Sequence, residues 1–132
     1  MGQQQLLLII LGVIIVGIAI AVGLSLFSAQ SVQANKDAII NDLNNLAAHA
    51  YQYKIRPSSM GGGDGSYTNF KIPVKMATNE NAFYFTSNVS ASTISFVATS
   101  RTYTTSSIIA TVDQNGKVTI NPNDFSGEFA VQ

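Results

Sequence analysis

The stretch that decides the fold is LLLIILGVIIVGIAIAVGLSLF, residues 6–27, an uncharged apolar run interrupted only by glycines and Ser25. At a helical rise of ~1.5 Å per residue, about 22 residues span roughly 33 Å, close to the hydrocarbon thickness of a bilayer. The first charged side chain in the sequence is Lys36. The sequence therefore predicts a helix that can cross a membrane.

A cleaved secretory signal peptide is the alternative interpretation of this run. Such a peptide has a basic n-region, an apolar stretch of about 7 to 15 residues and a small-residue cleavage site. No lysine or arginine precedes residue 36, and the apolar run is longer than that template. The pattern favours a retained membrane helix.

Composition limits what the rest of the chain can be. The 132 residues leave room for one membrane helix and one small domain of about 80 residues. Seven basic residues balance seven acidic ones, so we expect no nucleic-acid partner. The absence of cysteine excludes disulfides, thiolate nucleophiles and cysteine-bound metal or haem.

The helix is predicted to continue well past the apolar run. Pro57 cannot continue a helix and disfavours helical geometry at Arg56, so the helix should end between Tyr53 and Arg56. From Ser31 onward, apolar residues recur at spacings of three, four or seven among polar ones. They are Val32, Ile39, Leu43, Leu46, Ala47 and Ala50. One long helix with an apolar half and an amphipathic half is predicted.

Small residues within the apolar half form a pattern typical of helices that pack closely in lipid. Spacings of four align Gly17, Ala21, Ser25 and Ala29 on one ridge. A second set, Gly12, Ala19 and Gly23, is expected to run alongside it. Both sets are candidate helix-packing positions and predict self-association. The alternative is that glycine and alanine are simply frequent in membrane helices.

A glycine-rich stretch, residues 57–66, follows the helix. A phosphate-binding loop needs a preceding strand, a following helix and, in the P-loop, a lysine before serine or threonine. Here a helix precedes the glycines and a strand is expected to follow them. We therefore interpret the stretch as a flexible connection.

Residues 67–132 are predicted to form an antiparallel sheet of about four strands. The strand-like segments are residues 81–89, 93–99, 107–113 and 117–120, with a turn at Gln114-Asn115-Gly116 and a further edge strand near 67–74. The sheet needs a partner for its apolar face, which the amphipathic half of the helix supplies. The predicted fold class is α+β, with segments at residues 1–30 (apolar), 31–56 (amphipathic), 57–66 (loop) and 67–132 (sheet head domain).

Catalytic and metal-binding patterns are weak, and we expect neither enzymatic activity nor a cofactor. His49, the only histidine, has no nucleophile motif or carboxylate pair around it in the sequence. Residues 121–128 cluster oxygen-bearing side chains without EF-hand spacing, which indicates an ordinary turn or, less readily, a calcium loop. Asn88 begins an Asn-Val-Ser glycosylation sequon, and the surrounding hydroxyl-rich strands suit either O-linked sugar or plain exposure to water.

An apolar N-terminal helix that continues into an amphipathic half, a loop and a small antiparallel sheet resembles the type IV pilin and type II secretion pseudopilin superfamily. The resemblance covers the architecture of the whole chain and the sequence character of its N-terminal third. It implies a structural subunit whose apolar helices bundle into a filament core beneath a shell of sheet domains.

The N-terminus departs from the usual pattern of that superfamily. Members carry a basic leader ending in glycine and a glutamate five residues into the mature chain. Gly2 is the only matching cleavage point here, Leu7 stands where the glutamate would be, and no glutamate precedes Glu80. We expect the chain to remain unprocessed.

In that superfamily a buried carboxylate offsets the N-terminal ammonium of a neighbouring subunit. Three neutral residues, Gln3, Gln4 and Gln5, stand near that position here. One hypothesis is that their amides hydrogen-bond between subunits at the core end of a filament, with no charge to bury. The other is that they mark the membrane interface.

Two functional interpretations follow from these patterns. The first is a bacterial cell-surface filament subunit whose partners are copies of itself, the inner membrane before assembly and, by resemblance, a pilus assembly machinery. The second is a membrane-tethered accessory, either a pseudopilin or a single-span binding domain, that forms no long filament.

Overall fold

The computed structural model describes residues 2–131 and confirms the predicted α+β class. Its elements in chain order are helix α1 (Gly2–Ile55), helix α2 (Val74–Ala77), strands β1 (Ala82–Val89), β2 (Ile94–Ser100), β3 (Ser107–Val112) and β4 (Val118–Ile120), and helix α3 (Glu128–Val131). Short 3-10 turns lie at Ser58–Met60 and Pro122–Asp124. The expectation that Met1 is retained concerns a residue outside the described ones.

Two compact units divide the chain, one up to Val32 and the other from Gln33 onward. The described part of the first unit is entirely helical, and every residue from 2 to 30 is exposed. Its helix is long and apolar enough to cross a membrane. Helix α1 ends at Ile55, inside the interval that Pro57 predicted.

The second unit is built on a four-stranded antiparallel sheet in the order β1-β2-β3-β4. Buried and partly exposed residues alternate along β2 and β3, because successive side chains of a strand point to opposite faces. The buried face packs against α1 residues at helical spacing. The core side chains include Ile39, Leu43, Leu46 and Ala50 from the helix and Ile94, Phe96, Ile108 and Val112 from the sheet.

The turn between β3 and β4 forms where Asn115-Gly116 predicted it. Gly116 has a φ of +84°, a left-handed conformation that glycine adopts without steric penalty, and its N–H donates to the Asp113 carbonyl oxygen (3.1 Å). One carboxylate oxygen of Asp113 also accepts the N–H groups of Asn115 and Lys117 (2.9 and 2.8 Å). The hairpin is thereby held by both backbone and side-chain bonds.

The predicted edge strand near residues 67–74 is wrong. Tyr67 and Phe70, three residues apart, are both buried, and the Phe70 N–H donates to the Tyr67 carbonyl oxygen (3.0 Å). A strand would have placed these two side chains on opposite faces. Pro73 instead directly precedes α2, where its fixed φ suits the start of a helix.

The glycine-rich stretch does more than connect two elements, because it caps the C-terminus of α1. The N–H groups of Gly63, Asp64 and Gly65 donate to the carbonyl oxygens of Tyr53, Arg56 and Lys54, respectively (2.7, 3.0 and 2.6 Å). The last turn of a helix leaves its carbonyl oxygens without the usual helical partners, and these three N–H groups supply them. The Tyr53 carbonyl oxygen also accepts the Arg56 N–H (3.3 Å). A Cβ at Gly62 would overlap the backbone of Arg56, so the close approach requires glycine.

Candidate functional site

The first unit presents a continuous apolar surface. Its large side chains from Leu6 to Phe27 are 52–73% exposed, and no described residue covers them. Exposed apolar patches of this extent mark contacts with lipid or with protein. This helix is therefore the candidate functional site.

The small residues of this helix lie on two opposite sides of it. A helix turns about 100° per residue, so the ridge of Gly17, Ala21, Ser25 and Ala29 is centred roughly 160° from the second set. The prediction that the second set, Gly12, Ala19 and Gly23, runs alongside the ridge is thus wrong. A spacing of five residues from Gly12 to Gly17 carries the chain to the far side of the helix.

Both sets leave room for close approach. A Cβ added at Gly12, Gly17 or Gly23 meets nothing within 4 Å. The Ser25 hydroxyl donates to the Ala21 carbonyl oxygen one turn earlier (3.1 Å), so its proton is satisfied within the helix. The helix surface is therefore apolar, and the backbone of a neighbouring helix can approach it closely at these small residues.

The three glutamines occupy the first turns of α1 and are exposed. Because consecutive residues are about 100° apart around a helix, Gln3, Gln4 and Gln5 point in three directions. Their amides are therefore presented to more than one side of the helix. Whether they bond between subunits stays a prediction.

A cluster around Asp42 joins α1 to the sheet edge. One carboxylate oxygen of Asp42 accepts the Tyr84 hydroxyl (2.6 Å) and the side-chain amides of Asn79 (2.8 Å) and Asn81 (3.2 Å). Burial by itself raises the pKa of Asp42, but these three hydrogen bonds outweigh it and hold the pKa below its ordinary value. Burial, the hydrogen bond to Asp42 and the charge of that carboxylate together raise the pKa of Tyr84. The cluster therefore links α1 to the head domain.

A lysine at the C-terminus of α1 links the helix to the β3–β4 hairpin through a hydrogen bond. The Lys54 ammonium donates to the Gln114 carbonyl oxygen and lies 5.3 Å from the centre of the Tyr67 ring. The Tyr67 hydroxyl donates to the Asp113 carbonyl oxygen (2.6 Å). Burial, followed by the charge of Asp113 and by Tyr51, raises the pKa of Tyr67. Lys54 also lies in the last turn of α1, where a positive charge suits the negative end of the helix dipole.

The other candidate residues are scattered over the second unit. His49 is exposed on α1, and Asn88 is exposed on β1 beside an irregularity in the β1–β2 register. In the 121–128 segment, the Asn121 side-chain oxygen accepts the N–H of Asn123 (3.0 Å), which is an Asn turn. Glycosylation of Asn88 and calcium binding stay predictions.

The chain thus combines a long apolar N-terminal helix with a second half packed on a small antiparallel sheet, an architecture compatible with a pilin-like fold. A scan against protein-family models, a search of curated proteins and a search of solved structures each find no match.

Proposed function

We propose that this chain is a structural subunit that polymerises through its N-terminal helix into an extracellular filament resembling a type IV pilus. The observation that carries the proposal is the exposure of the apolar surface from Leu6 to Phe27. In water, leaving that surface bare would cost on the order of tens of kcal/mol. It must lie in lipid or against other helices, and a filament subunit does each in turn.

The placement of the small residues supports polymerisation over a closed pair. A contact that uses one side of the helix on both partners closes into a dimer. Small-residue rows on opposite sides allow each helix to have a close neighbour on either side, which propagates. We propose that both rows are helix-packing surfaces and that a membrane-inserted precursor supplies subunits to a pilus assembly machinery at the cell surface.

The glutamines fit the same proposal. Burial of an unpaired charge in an apolar core costs several kcal/mol, whereas a neutral amide can both donate and accept. Because the three amides point in different directions, they would contact different neighbours in a helical array. We propose that they form a polar layer at the core end of the filament. The function needs neither catalysis nor a cofactor.

The membrane-tethered accessory is the competing function, favoured by the same apolar helix. It keeps its helix in the bilayer and needs no close helix contacts. Electron microscopy of a sheared cell-surface fraction, with gold-labelled antibody against residues 65–132, separates the two. Label along thin fibres supports the filament, and label confined to membrane fragments overturns it in favour of the tethered accessory.

A further inference from the structure

An exposed basic and apolar patch lies on and beside α2. We name Lys71, Val74 and Lys75 the basic patch. Both lysines are exposed, and Val74 is 90% exposed, more than any other large apolar side chain in the described part of the chain. A valine this exposed and flanked by two cations is a feature for which the fold of the head domain gives no reason.

The basic patch sits at the β1 edge of the sheet. Helix α2 leads into β1, and Thr78 forms an isolated antiparallel bridge with Phe83. The acidic residues of this region are Asp42, whose carboxylate accepts from Asn79 and Asn81, and the exposed Glu80. Arg101 offsets it, because its guanidinium lies 5.1 Å from the centre of the Phe83 ring and donates to the Asn79 carbonyl oxygen (3.3 Å). Lys71, Lys75 and Arg101 thus outnumber the two carboxylates, and the β1 edge carries net positive charge.

An acidic segment, Asp124–Glu128, lies at the other edge. Its two carboxylates are exposed, and residues 118–132 contain no lysine or arginine. The Ser126 N–H donates to the Ser107 carbonyl oxygen (3.1 Å), which places the segment beside β3, on the side away from β2. The Lys36 ammonium lies 4.4 Å from the centre of the Phe125 ring. This one cation does not balance the two carboxylates, so the segment keeps a net negative charge.

The two surfaces are complementary but separated within one chain. The order β1-β2-β3-β4 puts them at opposite edges of the sheet, roughly three strand spacings or 14 Å apart. We propose that the basic patch of one copy docks on the acidic segment of the next, so that head domains join edge to edge. The inference rests on the proposed self-assembly and names the head-domain contact that accompanies it. Because the two surfaces differ, each copy can bind one neighbour at each edge of its sheet, and the contact repeats along a row of copies.

Cysteine crosslinking tests the contact directly, because the chain has no cysteine of its own. The full-length Val74→Cys/Asn123→Cys variant has one thiol at each proposed surface and keeps all four charges. On cells treated with a mild oxidant, we expect a ladder of disulfide-linked trimers and longer species. The Val74→Cys/Ser87→Cys control places both thiols at the β1 edge and should give no ladder.

Charge reversal in the same crosslinking variant tests whether the contact depends on attraction between opposite charges. An exposed ion pair changes an association constant by roughly two- to fivefold, so K71E/K75E should lower the ladder yield by about tenfold. D124K/E128K should do the same, and combining all four substitutions should restore the ladder. Higher salt should weaken the ladder of the unreversed chain, because both charge sets are exposed.

Microscopy of the same samples separates the two proposals. Filaments without a ladder overturn the head-domain contact and leave the filament function intact. Absence of both filaments and ladder overturns both. Binding of the purified chain to phosphatidylglycerol vesicles that is lost in K71E/K75E, again without a ladder, assigns the basic patch to a membrane surface and also overturns the contact.

Discussion

The Tyr84 hydroxyl lies 2.6 Å from a carboxylate oxygen of Asp42, and this bond joins strand β1 to helix α1 across 42 residues of sequence. Tyr84 is only 4% exposed. The bond therefore links the sheet to the helix at a part-buried point, with the tyrosine on its buried side.

Replacing Tyr84 by phenylalanine should destabilise the head domain by about 1–3 kcal/mol, because the substitution removes a donor to a charged, partly buried acceptor. Thermal unfolding of the full chain in detergent, followed by near-ultraviolet circular dichroism, measures the change. Tyr53→Phe is the matched control, since that hydroxyl donates to the Thr68 carbonyl oxygen at an exposed site (3.1 Å). Equal losses of stability in the two variants would show that the Tyr84–Asp42 bond contributes no more than an exposed hydrogen bond.

Acid should weaken the hydrogen bond between Tyr84 and Asp42. The folded state lowers the pKa of Asp42 from its ordinary value of 3.8. The stabilising contribution of the carboxylate is therefore complete above that ordinary value and is lost as the pH falls through the lower folded value. We expect the unfolding temperature of the wild type to drop below about pH 4 more steeply than that of Asp42→Asn, which has no carboxylate to protonate. Parallel pH profiles would show that the acid sensitivity comes from other groups.

Gly62→Ala should destabilise the helix cap by about 1–3 kcal/mol, because the new methyl overlaps the Arg56 backbone. The expected readout is faster amide hydrogen exchange at Gly63 and Gly65, whose N–H groups donate to the helix end. Gly61→Asn is the control, since position 61 has open space around it and a φ of +78° that asparagine tolerates. Unchanged exchange in Gly62→Ala would mean that the loop moves aside at little cost.

Leucine substitutions in the small-residue rows should abolish filaments without impairing membrane insertion. Gly17→Leu/Ala21→Leu fills one side of α1 and Gly12→Leu/Gly23→Leu fills the other, and leucine only increases the apolar character of the helix. Electron microscopy and membrane fractionation give the two readouts. Ile14→Leu/Ile18→Leu is the matched control at bulky positions. Normal filaments from either double variant would exclude that row from the packing.

Replacing Gln3, Gln4 and Gln5 together by leucine should reduce filament yield if their amides bond between subunits. Quantitative immunoblotting of the sheared fraction, against total chain, measures the yield. Gln30→Leu serves as the control because this glutamine is exposed on the same helix outside the proposed polar layer. An unchanged yield in the triple variant would assign the three residues to the membrane interface alone.

Local patterns predicted most of the fold, and long-range contacts account for what they missed. The end of α1 and the four strands followed from Pro57, from alternation and from Asn115-Gly116. The edge strand failed because Tyr67 and Phe70 turn inward together to fill the core, which local strand propensity does not reveal. The Asp42 cluster brings together partners 37 to 42 residues apart, and no sequence spacing encodes that meeting. The candidate helix surface was visible in the sequence because it depends on composition rather than on tertiary contacts.

The strand order of the sheet also has a kinetic consequence. Every strand pairs with its neighbour in the chain, so the sheet forms from successive hairpins with short loops to close. The helix-to-sheet contacts, such as Asp42 with Tyr84, close much longer loops and should form later. We therefore expect the meander to form before it docks onto the amphipathic half of α1. Slower docking would then leave a formed sheet with its apolar face exposed to aggregation.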